Sequence, residues 1–494
     1  MSKLTNFKSY KFAGICLSIL SIILFMIMVI LGLNQSLWLD ETWTFILIRE
    51  SFYHIIISSS ADVHPPLYFA LLKIFLEFFS LLVPSNISHI ILAKIFSIIP
   101  LFFIVIFSLK KIKEDFGWLV SGVFTFCIIT MPNLMYYGFQ VRMYSWALFF
   151  VTLSFYYCYK ITIKSNKKNW IIFTICALMG AYIHYYATIA ITFIFLILLA
   201  HIILKNRKIL KNWILSSVTM ILLYSPCIIL FFQQSKYFTV YQWDTVSLQS
   251  IIETIGFIFS PMDLIDYTSH LKVLGAMLLL SLIILSSLHL FELKKLENYN
   301  MIIELGGIFV LITTMFFSFL FSILVKPMFI GRYAVPMLGC FWLSFSVSLS
   351  NFRSKKIIFI PILIILLLNG MINTITFIDS SNYLKLADLG FNENINQISE
   401  NDTIIYLGYP WMIDSFFKFY LKENEFIAWN DNSTVLDIEK LKNNKIWVFD
   451  SGYDLYGGIF AFNKTLTENG FKLDKISVIN KRYLSYPTHI YLIS

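Results

Sequence analysis

Residues 37–69 read LWLDETWTFILIRESFYHIIISSSADVHPPLYF, and they follow an apolar run at 12–33 that is long enough to cross a bilayer. The carboxylate pair Asp40-Glu41 therefore comes directly after the membrane exit, with a tryptophan on either side. Tryptophan is favoured at the level of the lipid headgroups. This stretch predicts a first membrane span that ends at an acidic group, placed where water, headgroups and protein meet.

The composition requires many membrane spans. Hydrophobic residues make up 58% of the 494 residues and charged residues 14%, whereas a soluble domain carries roughly 25% charged residues. The net charge of +9 does not indicate nucleic-acid binding, because the lysines cluster in short loops between apolar runs, as positive-inside residues do. All six cysteines fall in apolar runs, so neither a disulfide framework nor a thiolate metal site is predicted.

Apolar runs of spanning length recur along the chain and predict an α-helical polytopic membrane protein with about eleven transmembrane helices. The eleven predicted spans are 12–33, 88–109, 117–137, 142–161, 169–184, 187–204, 212–232, 271–291, 301–325, 333–350 and 356–377.

One further run, 66–83, is short and carries Lys73 and Glu77 at the spacing of a solvated helix pair. Lysines before the first span predict a cytoplasmic N-terminus. If 66–83 crossed the membrane, the later basic loops, among them the lysines at 294–295, would face outside, against the positive-inside rule. We therefore expect an external juxtamembrane helix at 66–83, an external segment at 34–87 and an external C-terminus.

In this topology the polar segments between the spans converge on the external face. They are the 34–87 segment, the turns 138–142, 184–186 and 326–332, and a longer loop at 233–270 that carries Asp244, Asp263 and Asp266.

The composition changes after residue 377 and predicts a separate domain, 378–494, following the membrane domain, 1–377. Runs at 403–407, 445–449 and 489–493 are typical of buried strands. Segments at 411–422 and 435–442 are typical of helices. Strands that alternate with helices predict a small α/β domain, which the topology places outside the cytoplasm.

Two interpretations of the acidic pair are open. Asp40 is placed to act as a general base on an acceptor hydroxyl, with Glu41 as a partner or a metal ligand. Alternatively, Asp40 is the N-cap of a helix over residues 42–50, where its carboxylate would satisfy free backbone amides.

Several later residues are candidates for binding substrate or phosphate. His64 stands before two prolines, which start a helix well and would hold it rigidly. An external arginine such as Arg142 or Arg332 is suited to phosphate, although an arginine at a span end can simply snorkel. His184 lies at an external turn beside two tyrosines, where interfacial anchoring is the alternative role.

The combination of acids, histidines and arginines on one face, with no ATP-binding loop in the sequence, indicates a substrate that arrives already activated on a lipid phosphate. Four elements in order resemble the polytopic GT-C glycosyltransferases, specifically the family 39/83-like group of protein O-mannosyltransferases and lipid A aminoarabinose transferases. These elements are Asp40-Glu41, Pro65-Pro66-Leu67-Tyr68, Arg142-Met143-Tyr144 and Arg332-Tyr333-Ala334-Val335-Pro336.

The resemblance implies transfer of a sugar from a polyprenyl-phosphate donor to an acceptor hydroxyl outside the cytoplasmic membrane, with inversion and with Asp40 as the base. Arg142, Arg332 and His64 would then stabilise the departing phosphate. The chain departs from some relatives in having His64 where they have a lysine, and Gln140 where many have an acid. Metal involvement is therefore open: Glu41, His64 and His184 could coordinate a divalent ion, but their spacing does not require one.

A multi-span transporter or flippase of lipid-linked glycans is the alternative function. Transporters commonly place ionisable residues near the middle of the membrane and have repeated halves. Here the spans carry few charges and we find no internal repeat, so the enzyme hypothesis is preferred. The sugar, and the protein, glycan or lipid acceptor, are not specified by the sequence.

Overall fold

The computed structural model describes residues 2–59, 64–83, 88–237, 246–260, 268–292, 301–325, 327–408, 413–421, 424–429, 445–450, 458–479 and 488–494. The chain forms two compact units, which are Met1–Leu33 with Tyr53–Ser380, and Asn34–Phe52 with Ser381–Ser494. We call them the helical unit and the sheet unit. The segment 34–52, which the sequence placed in the membrane domain, thus groups with the C-terminal residues.

Helices account for nearly all of the described part of the helical unit, because its sequence is a succession of apolar runs. In chain order the helices up to residue 395 are α1 Ser2–Leu33, α2 Leu39–Arg49, α3 Phe52–Ser59, α4 Leu67–Ser80, α5 His89–Phe107, α6 Lys113–Phe116, α7 Trp118–Thr130, α8 Leu134–Phe139, α9 Tyr144–Ile163, α10 Lys167–Ile183, α11 Tyr185–Lys205, α12 Leu210–Tyr237, α13 Leu248–Phe259, α14 Thr268–Glu292, α15 Met301–Leu324, α16 Val335–Asn351 and α17 Lys356–Ile395. Of these, α2 belongs to the sheet unit.

Eight segments of the described chain are long and apolar enough to cross a membrane, which makes the protein a multi-pass membrane protein. These segments are Tyr10–Leu33, His89–Phe116, Tyr144–Ile163, Tyr185–Lys205, Arg207–Gln234, Met301–Leu324, Gly331–Ser354 and Lys356–Lys385. The other three predicted spans coincide with α7, α10 and α14, of which α7 has 13 residues and α10 has 17.

The structure corrects two predicted boundaries. The predicted span 117–137 is interrupted after Thr130, where Asn133 adopts a left-handed backbone with φ of 62° before α8 begins. The predicted span 356–377 is only part of α17, which continues to Ile395 because the polar residues that follow are compatible with a helix.

The ambiguous run 66–83 forms α4, a helix of 14 residues. At a rise of 1.5 Å per residue it is about 21 Å long, shorter than the roughly 30 Å hydrocarbon core of a bilayer. The Nζ of Lys73 lies 3.2 Å from a carboxylate oxygen of Glu77, so the predicted i,i+4 pair forms. The lysines at 294–295 and the aspartates at 244, 263 and 266 lie outside the described residues.

Close backbone contact between α1 and α7 depends on two glycines. A Cβ added at Gly122 would lie 2.3 Å from the carbonyl oxygen of Gly14, and one at Gly14 would lie 2.2 Å from that of Trp118. Small residues allow such approach between membrane helices. These contacts fix α7, and with it the turn that leads to α8.

We therefore expect Gly122→Ala to destabilise the protein by about 1–3 kcal/mol, the usual cost of overpacking. Gly256→Ala is the matched control, because a Cβ at Gly256 in α13 meets nothing within 4 Å, and alanine is the better helix former. Thermal unfolding of both variants in detergent checks this. Equal melting temperatures for Gly122→Ala and wild type would contradict it.

The sheet unit contains a five-stranded sheet within its described residues. The strands are β1 Thr403–Leu407, β2 Glu425–Ala428, β3 Ile446–Asp450, β4 Leu473–Ile479 and β5 Thr488–Ile493, in the order β2-β1-β3-β5-β4. Strand β1 pairs in parallel with β2 and β3, and β5 pairs antiparallel with β3 and β4. Two further helices of this unit are α18 Lys418–Tyr420 and α19 Gly458–Glu468.

The predicted α/β character of this domain is confirmed, because the three predicted strands correspond to β1, β3 and β5. The predicted helix 411–422 is seen in part, as a π-helical turn at Ile413–Phe417 continued by α18. The predicted helix 435–442 lies outside the described residues. Helix α2 packs on this turn, and Leu39 joins the core formed with Phe416 and Phe417.

Candidate functional site

Four turns of the helical unit bring together residues that are far apart in sequence. His64 precedes Pro65-Pro66 and α4, Arg142 lies between α8 and α9, and His184 lies between α10 and α11. Arg332 belongs to a 3-10 turn, Gly331–Ala334, that leads into α16. Each residue thus lies at a helix end, where the backbone changes direction. Its side chain can therefore contact residues from the other turns.

The rings of this cluster lie close together. The centroids of His64 and His184 are 5.2 Å apart, and that of Tyr333 lies 5.2 Å from His184 and 5.9 Å from His64. Tyr144, the first residue of α9, lies 5.8 Å from His184. The Cζ of Arg332 is 5.8 Å from the ring of Tyr333. The candidate residues that the sequence selected in this unit therefore meet around His184.

The hydrogen bonding of His184 defines which nitrogen carries its proton. Its Nδ1 accepts the backbone N–H of Tyr186 at 3.1 Å, so in the neutral ring the proton lies on Nε2. Among the described residues, this Nε2 has no protein hydrogen-bond partner, although the side chain is only 1% exposed. A buried donor without a partner costs free energy, and an acceptor supplied by a ligand would remove that cost.

The buried side chains of His64 and Gln140 also carry polar atoms in this condition within the described chain. The Nδ1 of His64 and both side-chain polar atoms of Gln140, which precedes Arg142 by two residues, have no hydrogen-bond partner there. The His64 backbone is held by the side chain of Gln234, whose Nε2 donates to the His64 carbonyl at 3.2 Å. The backbone of the cluster is thus held by a hydrogen bond, while polar side-chain atoms of His64, Gln140 and His184 can still bond to a ligand.

Burial and neighbouring cations keep both histidines neutral. Burial, followed by the nearby Arg142 and Arg332, lowers the pKa of His184 to about 3. Burial, with Arg142, His184 and Arg332, also lowers the pKa of His64 well below its usual range. Arg142 itself is 3% exposed. Two guanidinium groups and neutral N–H donors in a region of low dielectric constant are suited to an anion.

The lowered pKa values predict a stability loss in mild acid. Below a pH of about 6.5 the unfolded histidines bind protons that the folded ones do not, so stability falls as the pH falls, by up to about 1.4 kcal/mol per pH unit for each histidine. For His184 this continues down to a pH of about 3. We expect the melting temperature to drop between pH 7 and pH 5, and to drop less for His184→Gln.

His89→Gln is the control for this comparison, because His89 is exposed at the start of α5. Its pH profile of melting temperature should match that of wild type. A His184→Gln profile as steep as that of wild type would mean that His184 is not the buried neutral group described here.

Asp40 and Glu41 belong to the sheet unit, on the first turn of α2. The helix begins at Leu39 with Trp38 as N-cap, so Asp40 is not the N-cap that the alternative interpretation predicted. Glu41 instead contributes to the helix cap, because its Oε2 accepts the backbone N–H of Trp38 at 3.1 Å. The Glu41 side chain is 2% exposed. Glu41 therefore has a structural role, and the role of Asp40 as a base stays a prediction.

Within the described ranges, no three His, Cys, Asp or Glu side chains gather in a group that could hold a metal ion. The cluster in the helical unit is rich in cations and hydrogen-bond donors instead. The sequence analysis did not select several residues that contact this cluster. Of these, only Tyr186 could have been identified from the sequence, because it lies two positions after His184. The missed contacts are Tyr186 at 4.8 Å from Tyr333, Tyr137 at 5.2 Å from Tyr144, Phe69 under Arg142 at 5.9 Å, and Gln234.

No protein-family model and no curated protein sequence matches the chain. A comparison with solved structures finds two of ArnT from Cupriavidus metallidurans. The structure in the apo state has a TM-score of 0.42 at 11% identity, over 97% of this chain and 98% of that chain. The structure bound to undecaprenyl phosphate has a TM-score of 0.55 at 9% identity, over 96% of this chain and 97% of that chain. The second comparison confirms the predicted fold, because the chain shares the GT-C architecture of that ArnT structure.

Proposed function

We propose that the protein is a membrane glycosyltransferase that moves a sugar from a polyprenyl-phosphate donor to an acceptor hydroxyl. The observation that carries the proposal is the cluster of buried His64, Arg142 and His184 with partly buried Arg332, in which the Nε2–H of His184 lacks an acceptor among the described residues. The similarity in fold to ArnT bound to undecaprenyl phosphate supports a lipid phosphate as the anion.

The arginines act on the leaving group. As the acceptor oxygen bonds to the anomeric carbon, the bond from that carbon to the phosphate oxygen breaks, and the polyprenyl phosphate leaves with the electron pair. The charge on the phosphate thereby grows from one to two negative charges. Arg142 and Arg332 therefore stabilise the transition state, in which this charge is growing, more strongly than they stabilise the bound donor. Such a difference is the condition for catalysis. The N–H groups of His184 and His64 add hydrogen bonds without adding charge.

Asp40 takes the acceptor proton in this proposal and releases it to water after transfer. Attack by the acceptor from the face opposite the phosphate inverts the anomeric configuration. The reaction takes place on the extracytoplasmic side of the cytoplasmic membrane, with the N-terminus in the cytoplasm and the C-terminal domain outside. This orientation rests on the basic loops between the spans.

The test is to supply purified protein with undecaprenyl phosphates that carry defined sugars and to measure release of undecaprenyl phosphate. At least one donor should be consumed in the presence of a membrane extract that provides acceptors. A transporter or flippase would instead move such lipids between the leaflets of a vesicle and leave the sugar–phosphate bond intact. Lipid movement without cleavage of any donor would therefore replace the proposed function by the alternative.

A further inference from the structure

A cavity of about 480 Å³ opens beside the cluster, on the side of Arg332. This volume lies in the range of small-molecule sites, roughly 300–1,000 Å³. Its wall includes Arg332 and Tyr137 from the surroundings of the cluster, and Ser250, Glu253 and Phe257 from α13. The cavity wall thus carries a cation, a carboxylate, a hydroxyl and aromatic rings.

Helix α13 is held against the turns that carry the cluster by three contacts of Phe257. A Cβ at Gly331 would lie 3.1 Å from the Cβ of Phe257, so the glycine allows the Arg332 turn to approach α13. The carbonyl of Phe257 accepts a hydrogen bond from the side chain of Asn133, in the turn before α8. The ring of Phe257 also lies 5.5 Å from that of Tyr137. The cavity wall is therefore fixed to the same turns that carry the cluster.

The carboxylate of Glu253 is oriented by its own helix. Its Oε1 accepts the side-chain N–H of Gln249, four residues earlier, at 3.1 Å. A carboxylate accepts hydrogen bonds only, so it is complementary to hydroxyl or ammonium groups and opposes another carboxylate. Aromatic rings such as Tyr137 and Phe257 offer flat apolar surfaces to the C–H face of a sugar ring.

We infer that this cavity binds the sugar of the lipid-linked donor, with Glu253 accepting hydrogen bonds from it. The inference rests on the proposed function, and it deepens that function by naming the sugar class. The phosphate occupies the arginine–histidine cluster, and Arg332 belongs to both the cluster and the cavity wall, so a sugar bonded to the phosphate reaches the cavity. The sugar is neutral or carries an amino group, because the charge of Glu253 disfavours binding of a uronic acid.

The test compares full-length wild type with Glu253→Gln by native mass spectrometry. The lipids are undecaprenyl phosphate alone and undecaprenyl phosphates that carry glucose, mannose or glucuronic acid. We expect Glu253→Gln to weaken binding of a neutral glycosylated lipid about 10-fold, because glutamine keeps an acceptor oxygen but replaces charge-assisted hydrogen bonds by weaker neutral ones. Binding of undecaprenyl phosphate alone should be unchanged. The glucuronic acid lipid should bind wild type more weakly than the neutral ones.

Glu114→Gln is the matched control, since Glu114 is an exposed carboxylate that pairs with Lys111 at 2.9 Å; it should change neither affinity. Ser250→Phe, which fills the cavity, should repeat the selective loss. If Glu253→Gln and Ser250→Phe change neither affinity, or lower both equally, the sugar site is overturned while the proposed function stands. If wild type binds no undecaprenyl phosphate, the proposed function fails and this site with it.

Discussion

Replacing Arg142 by alanine should lower the rate of sugar transfer by about 10²–10³-fold, the effect of removing one preorganised donor from a developing anion. The side chain is 3% exposed and acts on both His64 and His184. The substitution removes a cation whose electrostatic interactions are only weakly screened by solvent. Initial rates with a saturating donor, together with the affinity for undecaprenyl phosphate, measure both parts of the effect.

Two further variants make this result specific. Arg142→Lys keeps the charge but loses the planar fork that matches phosphate, so its rate should lie between those of wild type and Arg142→Ala. Arg207→Ala removes an exposed arginine whose Nε donates to the carbonyl of Ile203, and it should transfer sugar at the wild-type rate. A folded Arg142→Ala protein with wild-type transfer and lipid affinity would show that the phosphate lies elsewhere.

Asp40→Asn should lower transfer by about 10²–10⁴-fold, the range for loss of a general base, while donor binding is kept. The substitution preserves side-chain shape, and the backbone carbonyl at this position can still accept the hydroxyl of Thr44 at 3.0 Å. Helix α2 should therefore remain intact. The expected pattern is a lower turnover number with an unchanged affinity for undecaprenyl phosphate.

Glu41→Gln separates the two members of the acidic pair. Glu41 accepts the backbone N–H of Trp38. Glutamine keeps an acceptor oxygen there but loses the negative charge on the first turn of α2, so Glu41→Gln should lower the melting temperature slightly and leave the turnover number unchanged. Undiminished transfer by Asp40→Asn would reject Asp40 as the base. If Asp40→Asn and Glu41→Gln lowered the turnover number equally, both residues would have only a structural role in α2.

The sequence predicted the helical architecture well because the apolar runs needed for a membrane leave little freedom. It also selected Arg142, Arg332, His64 and His184, since polar residues at span ends are few. It could not predict that His184 is 1% exposed, and anchoring at the interface was an open alternative. The burial of a short turn depends on helices that are distant in sequence. A local sequence pattern therefore cannot predict it.

The sheet unit shows the same limit in another form. Strands β1 and β3 are buried along their whole length, and their apolar runs identified them. Strands β2 and β4 were missed because they form the edges of the sheet, where half-exposed and charged residues such as Asp474 and Lys475 are tolerated. The grouping of 34–52 with this unit was also not predictable, because it depends on Leu39 packing on residues nearly 400 positions later.

In the proposed mechanism, the arginine–histidine cluster holds the phosphate of a polyprenyl lipid. A cryo-electron microscopy structure of the full-length protein with undecaprenyl phosphate tests it directly. We expect phosphate density within hydrogen-bonding distance of Arg142, Arg332 and the Nε2 of His184. Phosphate density at any other place, with this cluster left without a ligand, would contradict it.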